Sequence, residues 1–97
     1  IINYHNEHQP ERFKICQNYP NPFNPSTTIK YSIPIQSNVT LKIFDVLGRE
    51  VTTLVNKEQP QGNYEVEFEG SELTSGIYFY RLQAGEFVET KKMILIK

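Results

Sequence analysis

The stretch Gly62-Asn63-Tyr64-Glu65-Val66-Glu67-Phe68-Glu69 alternates apolar and polar side chains without a break. Successive residues of an extended chain point to opposite sides, so Tyr64, Val66 and Phe68 face a core while Asn63, Glu65, Glu67 and Glu69 face water. The stretch reads as a half-buried strand opened by Gly62. The same period of two recurs outward from it in both directions. Phe13 and Ile15 mark a first strand, and Ile29, Tyr31 and Ile33 a second that stops at Pro34, where the missing N–H ends a ladder. Val39, Leu41 and Ile43 make a third. Leu47-Gly48-Arg49 reads as a tight hairpin turn with Gly48 at positive φ, and residues 51–55 return as a fourth strand. Beyond a polar loop at 70–75, Gly76 releases a sixth strand, Ile77-Tyr78-Phe79-Tyr80-Arg81-Leu82, apolar on both faces and therefore central. Gln83-Ala84-Gly85-Glu86 is a short hairpin, and residues 87–97 form the last strand, running to the end of the chain. Seven strands at spacings of about 8 to 12 residues, with no helical period, predict an all-β, antiparallel sandwich of immunoglobulin-like kind.

The 97 residues make one small domain with a single core, whose stability is on the order of 5 to 10 kcal/mol. Ten basic and eleven acidic residues leave a net charge of −1, so there is no field to draw nucleic acid or anionic lipid to the surface. No apolar run reaches the roughly twenty residues of a spanning helix. Residues 1–11 are polar, carry two histidines and do not resemble a secretory signal. Together with the missing initiator methionine, this predicts a piece of a longer polypeptide, with residues 1–12 as a linker and 13–97 as the folded domain.

Side chains that carry chemistry are sparse. Cys16 is the sole cysteine, so no internal disulfide forms; as a nucleophile it needs a positioned base, and the only histidines, His5 and His8, lie in the unpatterned leader. Cys16 reads instead as a small side chain on the first strand. His5 and His8 would share a metal only on a helix, for which nothing argues. Glu65, Glu67 and Glu69 read as a solvated face, with Arg81, Lys91 and Lys92 as opposite charges available to it. The single glycines sit at strand boundaries and make no phosphate cradle. Asn38-Val39-Thr40 matches a glycosylation acceptor too short to weigh. Tyr78, Phe79 and Tyr80 read as a central strand with rings buried and hydroxyls at the rim. The chain is expected not to be an enzyme and to need no cofactor or metal.

Two stretches remain. Gln17-Asn18-Tyr19-Pro20-Asn21-Pro22-Phe23-Asn24-Pro25 holds three prolines that restrict themselves and the residues before them, giving a stiff connection. It should present Tyr19 and Phe23 as packing anchors, with asparagines closing local turns. At the other end, Lys91-Lys92-Met93-Ile94-Leu95-Ile96-Lys97 places four apolar residues between positive charges. One reading is a strand with charged gatekeepers; another is a strand that peels from the terminus to be read as an extended peptide.

These stretches, with Phe44-Asp45-Val46-Leu47-Gly48-Arg49-Glu50-Val51 and the run from Leu73 through Ser75-Gly76-Ile77-Tyr78 to Leu82, carry a resemblance. The chain resembles the C-terminal sorting domain, type A, of cargo proteins of the bacterial type IX (Por) secretion system, over roughly residues 13–97. Where that family commonly has aromatic-aspartate-glycine, Phe68-Glu69-Gly70 stands here. The resemblance implies an immunoglobulin-like fold and a non-enzymatic address. A cargo domain upstream in the same chain would reach the periplasm and cross the outer membrane because the translocon and its carrier proteins recognise this domain. A surface sortase of cysteine type would then cut within residues 1–12, and it can join the cargo to an anionic lipopolysaccharide. The family's signal would correspond to Lys91, Lys92, Met93, Ile94, Leu95, Ile96 and Lys97, presented by the hairpin at Gly85. Tyr19, Pro20, Asn21, Pro22, Phe23, Asn24, Pro25, Asp45, Gly48, Arg49, Gly76 and Tyr78 would be structural. The competing expectation is an adhesive or carbohydrate-binding module with exposed tyrosines as sugar platforms, and a weaker one is part of a cysteine enzyme centred on Cys16.

Overall fold

The structure, a computed structural model, describes residues 9–97; the expectations for His5 and His8 lie outside them. Seven strands form in order: β1 (Lys14–Ile15), β2 (Ser26–Ile33), β3 (Ser37–Phe44), β4 (Glu50–Gln59), β5 (Gly62–Glu69), β6 (Gly76–Ala84) and β7 (Phe87–Leu95). They build two antiparallel sheets, one ordered β1-β2-β5 and the other β4-β3-β6-β7. The sheets close on one another as an immunoglobulin-like sandwich. Among the described residues no helix is long and apolar enough to cross a membrane.

The period of two fixes which side of each sheet is inside. From the three-stranded sheet Ile15, Ile29, Tyr31, Ile33 and Phe68 are buried, and from the other Val39, Leu41, Ile43, Tyr78, Tyr80, Leu82, Met93 and Leu95. Each is flanked along its strand by more exposed neighbours, as a two-layer sandwich requires. β6 lies between β3 and β7, the central place that its apolar character predicts. β4 runs four residues beyond the expected Val55, through Gln59. Its pairing with β3 shifts register between Leu41 and Lys42 and again between Ile43 and Phe44, and such irregularities discourage an outer edge from recruiting another strand.

Two buried tyrosines tie loops to this core. The Tyr31 hydroxyl donates to Gln59 Oε1 at 2.6 Å, and its ring stacks on Tyr64 with centroids 5.4 Å apart. The Tyr80 hydroxyl is not at the rim, as expected, but inside. It donates to the Cys16 carbonyl at 2.6 Å and accepts from the Asn18 amide at 2.8 Å. Among the described residues every buried side-chain nitrogen and oxygen has a partner, the condition under which polar groups in a core hold structure rather than weaken it. The expected pairing of Glu65, Glu67 and Glu69 with Arg81, Lys91 and Lys92 does not occur, because β5 belongs to one sheet and β6 and β7 to the other. Lys30 is the residue opposite Glu65, while Lys91 pairs with Glu89 at 3.5 Å.

Tyr80→Phe keeps the ring and strips the hydroxyl, leaving the Asn18 amide and Cys16 carbonyl unpartnered. Stability should drop by ~1–3 kcal/mol, seen as a lower urea midpoint at unchanged slope. The same variant has an alkaline signature. Burial pushes both Tyr31 and Tyr80 up to about 12 from 10.0, so the folded chain keeps protons that the unfolded chain releases. That stability is complete below pH 10.0 and is lost as pH rises through about 12. The variant should lose less stability across this window than the parent; identical alkaline profiles would contradict the assignment.

Candidate functional site

The proline-asparagine stretch leaves β1, turns back on itself and then crosses to the last strand. Tyr19 and Thr28 exchange both backbone hydrogen bonds, at 3.0 and 2.9 Å, so the stretch first pairs with the start of β2. Asn18 is buried and holds this turn together: its Nδ2 donates to the Pro20 carbonyl and to Thr27 Oγ1, and Thr27 Oγ1 donates to the same carbonyl. The bonds before Pro20, Pro22 and Pro25 are cis. Phe23 then pairs in parallel with Leu95. Its amide donates to the Ile94 carbonyl at 2.9 Å, and its carbonyl accepts from the Ile96 amide at 2.9 Å.

Side chains complete the contact. Asn21 Oδ1 accepts from the Ile94 amide at 3.0 Å, and Gln17 Nε2 donates to the Lys92 carbonyl at 2.8 Å. The outer edge of β7, which β6 leaves open, is thus covered from Lys92 to Ile96. Packing follows the same line. The Phe23 ring is buried and meets Phe68 edge-on at 6.1 Å. A Cβ placed on Gly70 would lie 3.3 Å from Leu95 Cδ2 and 3.5 Å from Phe23 Cε2, so Phe68-Glu69-Gly70 supplies a ring to Phe23 and a gap for its neighbour. Tyr19, by contrast, is 80% exposed. Of the two expected anchors only Phe23 packs, because the turn fixed by Asn18 points the Tyr19 ring outward.

The last strand therefore differs from its expectation. Regular pairing ends at Leu95 rather than at the chain end. Met93 and Leu95 are fully buried and Ile94 half-buried, so peeling the strand would break the core and both ladders. Lys92, Ile96 and Lys97 are exposed. The Lys97 amide donates to Ser75 Oγ at 3.0 Å and its Nζ to the Ser71 carbonyl. The hairpin turn at Gly85 sits at the far end of β7.

The other recognised segments come to this same end. Asp45 organises the loop between β3 and β4: Oδ1 accepts from the Leu47 and Arg49 amides at 2.9 and 3.0 Å, and Oδ2 from Arg49 Nε at 2.8 Å. Gly48 at φ +83° closes the turn by donating to the Asp45 carbonyl. These bonds, led by that from the Arg49 amide, hold the Asp45 carboxyl below its ordinary value. Their support is present above the usual carboxylate range and is lost as pH falls through the lowered value. The turn leaves Val46 and Leu47 in water, 62% and 72% exposed. Across an open hollow from this turn stand Leu73, Ser75 and Ile77. Gly76, opposite Leu95, opens β6, and Tyr78 is buried with its hydroxyl donating to the Thr74 carbonyl at 2.8 Å. Pro20, Pro22 and Asn24 are exposed and Pro25 half-buried, its carbonyl accepting from the Gly70 amide at 2.8 Å.

Four sequence-distant segments thus build one end of the sandwich around the last residues of the chain. Long-range roles of Gln17, Asn21, Gly70 and the Tyr80 hydroxyl were beyond sequence reasoning, since each partner lies more than twenty residues away. Among the described residues, no three His, Cys, Asp or Glu side chains gather in a metal-ligating group. Cys16 is half-buried and follows β1. Phe23→Ala should cost ~3–5 kcal/mol in chemical denaturation, while Tyr19→Ala should stay within about 0.5 kcal/mol of the parent. Equal costs would refute the assignment of Phe23 as the anchor.

The pattern that defines the secretion system C-terminal sorting domain matches residues 17–97. No curated protein matches the chain. A solved structure of PorZ, an essential bacterial surface component of the type-IX secretion system of human oral-microbiomic Porphyromonas gingivalis, is similar at 21% identity and a TM-score of 0.56. The alignment covers 88% of this chain but 11% of that one, and at such identity the likeness shows the fold. With its match running from Gln17 through all four segments to Lys97, the chain belongs to the secretion-system C-terminal sorting domain family of type IX secretion.

Proposed function

We propose that this domain is a non-catalytic address that the type IX translocon and its carrier proteins read in the folded state, carrying an upstream cargo from the periplasm to the cell surface. Family membership supports the export role. The observation that carries the folded-state reading is the double pairing of β7, by β6 on one edge and by Phe23, Asn21 and Gln17 on the other. A carrier that gripped a released tail would have to break both ladders and expose Met93 and Leu95, a cost comparable to unfolding so small a domain. The part of residues 91–97 open to a partner without that cost is Lys92, Ile96, Lys97 and the outer side of Ile94.

Removal by a surface sortase fits the layout of the domain's start. Gln61 Nε2 donates to the Pro10 carbonyl at 3.1 Å, and residues 9–12 border a hollow with Ser32 and Asn63. Proteases need a segment that can be drawn out as an extended chain, so within the expected region 1–12 the held Pro10 carbonyl disfavours a cut at that residue. Among the described tyrosines the sugar-platform reading has Tyr19 alone as an exposed ring, because Tyr31, Tyr78 and Tyr80 are buried and Tyr64 is stacked on Tyr31.

Fusion of this chain behind a periplasmic reporter, in a bacterium that has the type IX system, tests the proposal. Deleting residues 91–97 removes core as well as signal, so point variants separate the two. Met93→Asp and Leu95→Asp should abolish folding and export together. Lys91→Ala with Lys92→Ala should leave stability within about 1 kcal/mol yet lower the amount of reporter exported. Export of the Met93→Asp variant at the parental level would refute recognition of the folded domain.

A further inference from the structure

The two sheets differ on their outer sides. The three-stranded sheet presents Thr28, Lys30 and Ser32 of β2 beside Asn63, Glu65, Glu67 and Glu69 of β5, a polar surface with an acidic margin. The four-stranded sheet presents, toward the end described above, an apolar surface. Phe44 lies opposite Phe79 on neighbouring strands, and Ile77 lies opposite Ile94. Ile77 is 40% exposed, and the loop after Phe44 adds Val46 and Leu47. None of these side chains serves the core, which lies on the other side of the sheet. A hollow between Phe44, Phe79, Arg81, Thr90 and the loop interrupts the patch.

Cations frame it. Lys92 stands opposite Phe79, and Arg81 opposite Lys42. Lys42 has Glu50 at 3.4 Å. The Arg81 guanidinium lies 4.6 Å above the Phe44 ring; the Glu50 carboxyl, held below its ordinary value by Thr53 and Lys42, also feels the Arg81 charge, but neither Arg81 nor Lys92 has a carboxylate within ion-pair distance among the described residues. Apolar side chains grouped on an outer face, with Val46, Leu47 and Ile77 exposed and Phe44 and Phe79 half-buried beside them, mark a contact with another protein on a domain this small. Arginine beside aromatic rings is the composition in which binding energy concentrates. Cations at its margin that make no direct ion pair select carboxylates, and the acidic margin of the opposite sheet repels the same partner, which sets the orientation of approach.

We infer that the outer side of the four-stranded sheet, centred on Ile77, Phe79 and Phe44 and framed by Arg81 and Lys92, is a docking surface for a protein of the export machinery that presents apolar side chains flanked by carboxylates. This rests on the proposed function and adds to it the surface that is gripped. It places the principal contact on β3 and β6, not on the terminal residues alone.

The test uses the reporter fusion, with the parent chain as reference. Export of the parent establishes the address role; its failure would remove that role and leave the docking surface without a partner. Given parental export, Ile77→Ser and Arg81→Glu should each lower exported reporter about tenfold with an unchanged melting temperature, and Glu67→Lys on the opposite sheet should leave export unchanged. Should a variant fold poorly, Ile77→p-benzoylphenylalanine decides. Photolysis should link it to a component of the secretion system next to an aspartate or glutamate, and added Arg81→Glu should diminish that link. Parental export by both folded variants, or a position-77 link to lipopolysaccharide alone, would overturn the inference.

Discussion

The pairing of Phe23 with the end of β7 is the contact on which the rest of this domain depends. Through it a segment near the start of the fold occupies the outer edge of the end of β7, opposite β6, and the Phe23 ring enters the core between Phe68, Gly70 and Leu95. A strand paired along one edge alone opens with little to resist the loss of its hydrogen bonds. Here two ladders and two buried side chains must give way together. Asn18 and the Tyr80 hydroxyl serve the same end by fixing the turn from which Phe23 is projected.

This constraint gives the recognised segments a common physical purpose. The Asp45 carboxylate knots one loop and Gly48 lets it close; Ser71 and Ser75 hold Lys97. Each bond is small, and most are solvent-exposed, so together they define the shape of one end more than they stabilise the whole. Stability comes from the buried alternating residues of the two sheets, which many sequences could supply. For the recognition proposed above, a shaped end assembled from four segments offers a feature that does not depend on the cargo.

The layers of this structure that were legible from the sequence are those governed by local period. Tyr64, Val66 and Phe68 face inward as their alternation requires, β6 is central, and the seven strands close as a sandwich. What local pattern does not encode is which chain edge a side chain meets. Asparagine signals a turn, and Asn18 makes one, but Asn21 spends its oxygen on Ile94 far along the chain. Tyr19 and Phe23 look alike as anchors, yet the turn that aims one inward aims the other out. The run from Met93 to Ile96 reads as one apolar peptide, although the strand period sends Met93 and Leu95 to the core and Ile94 away from it. Glu65 and Arg81 attract one another on paper and sit on different sheets.

Amide hydrogen exchange at Met93, Ile94, Leu95 and Ile96 in the isolated chain tests the central claim most directly, since it reports the free energy of opening residue by residue. A terminal strand locked by both neighbours should exchange these amides only through global unfolding, with protection matching that of Leu41 and Leu82 in the centre of the four-stranded sheet. Exchange of the Ile94 and Ile96 amides at the rate of an unstructured peptide, while Leu41 and Leu82 remain protected, would contradict it.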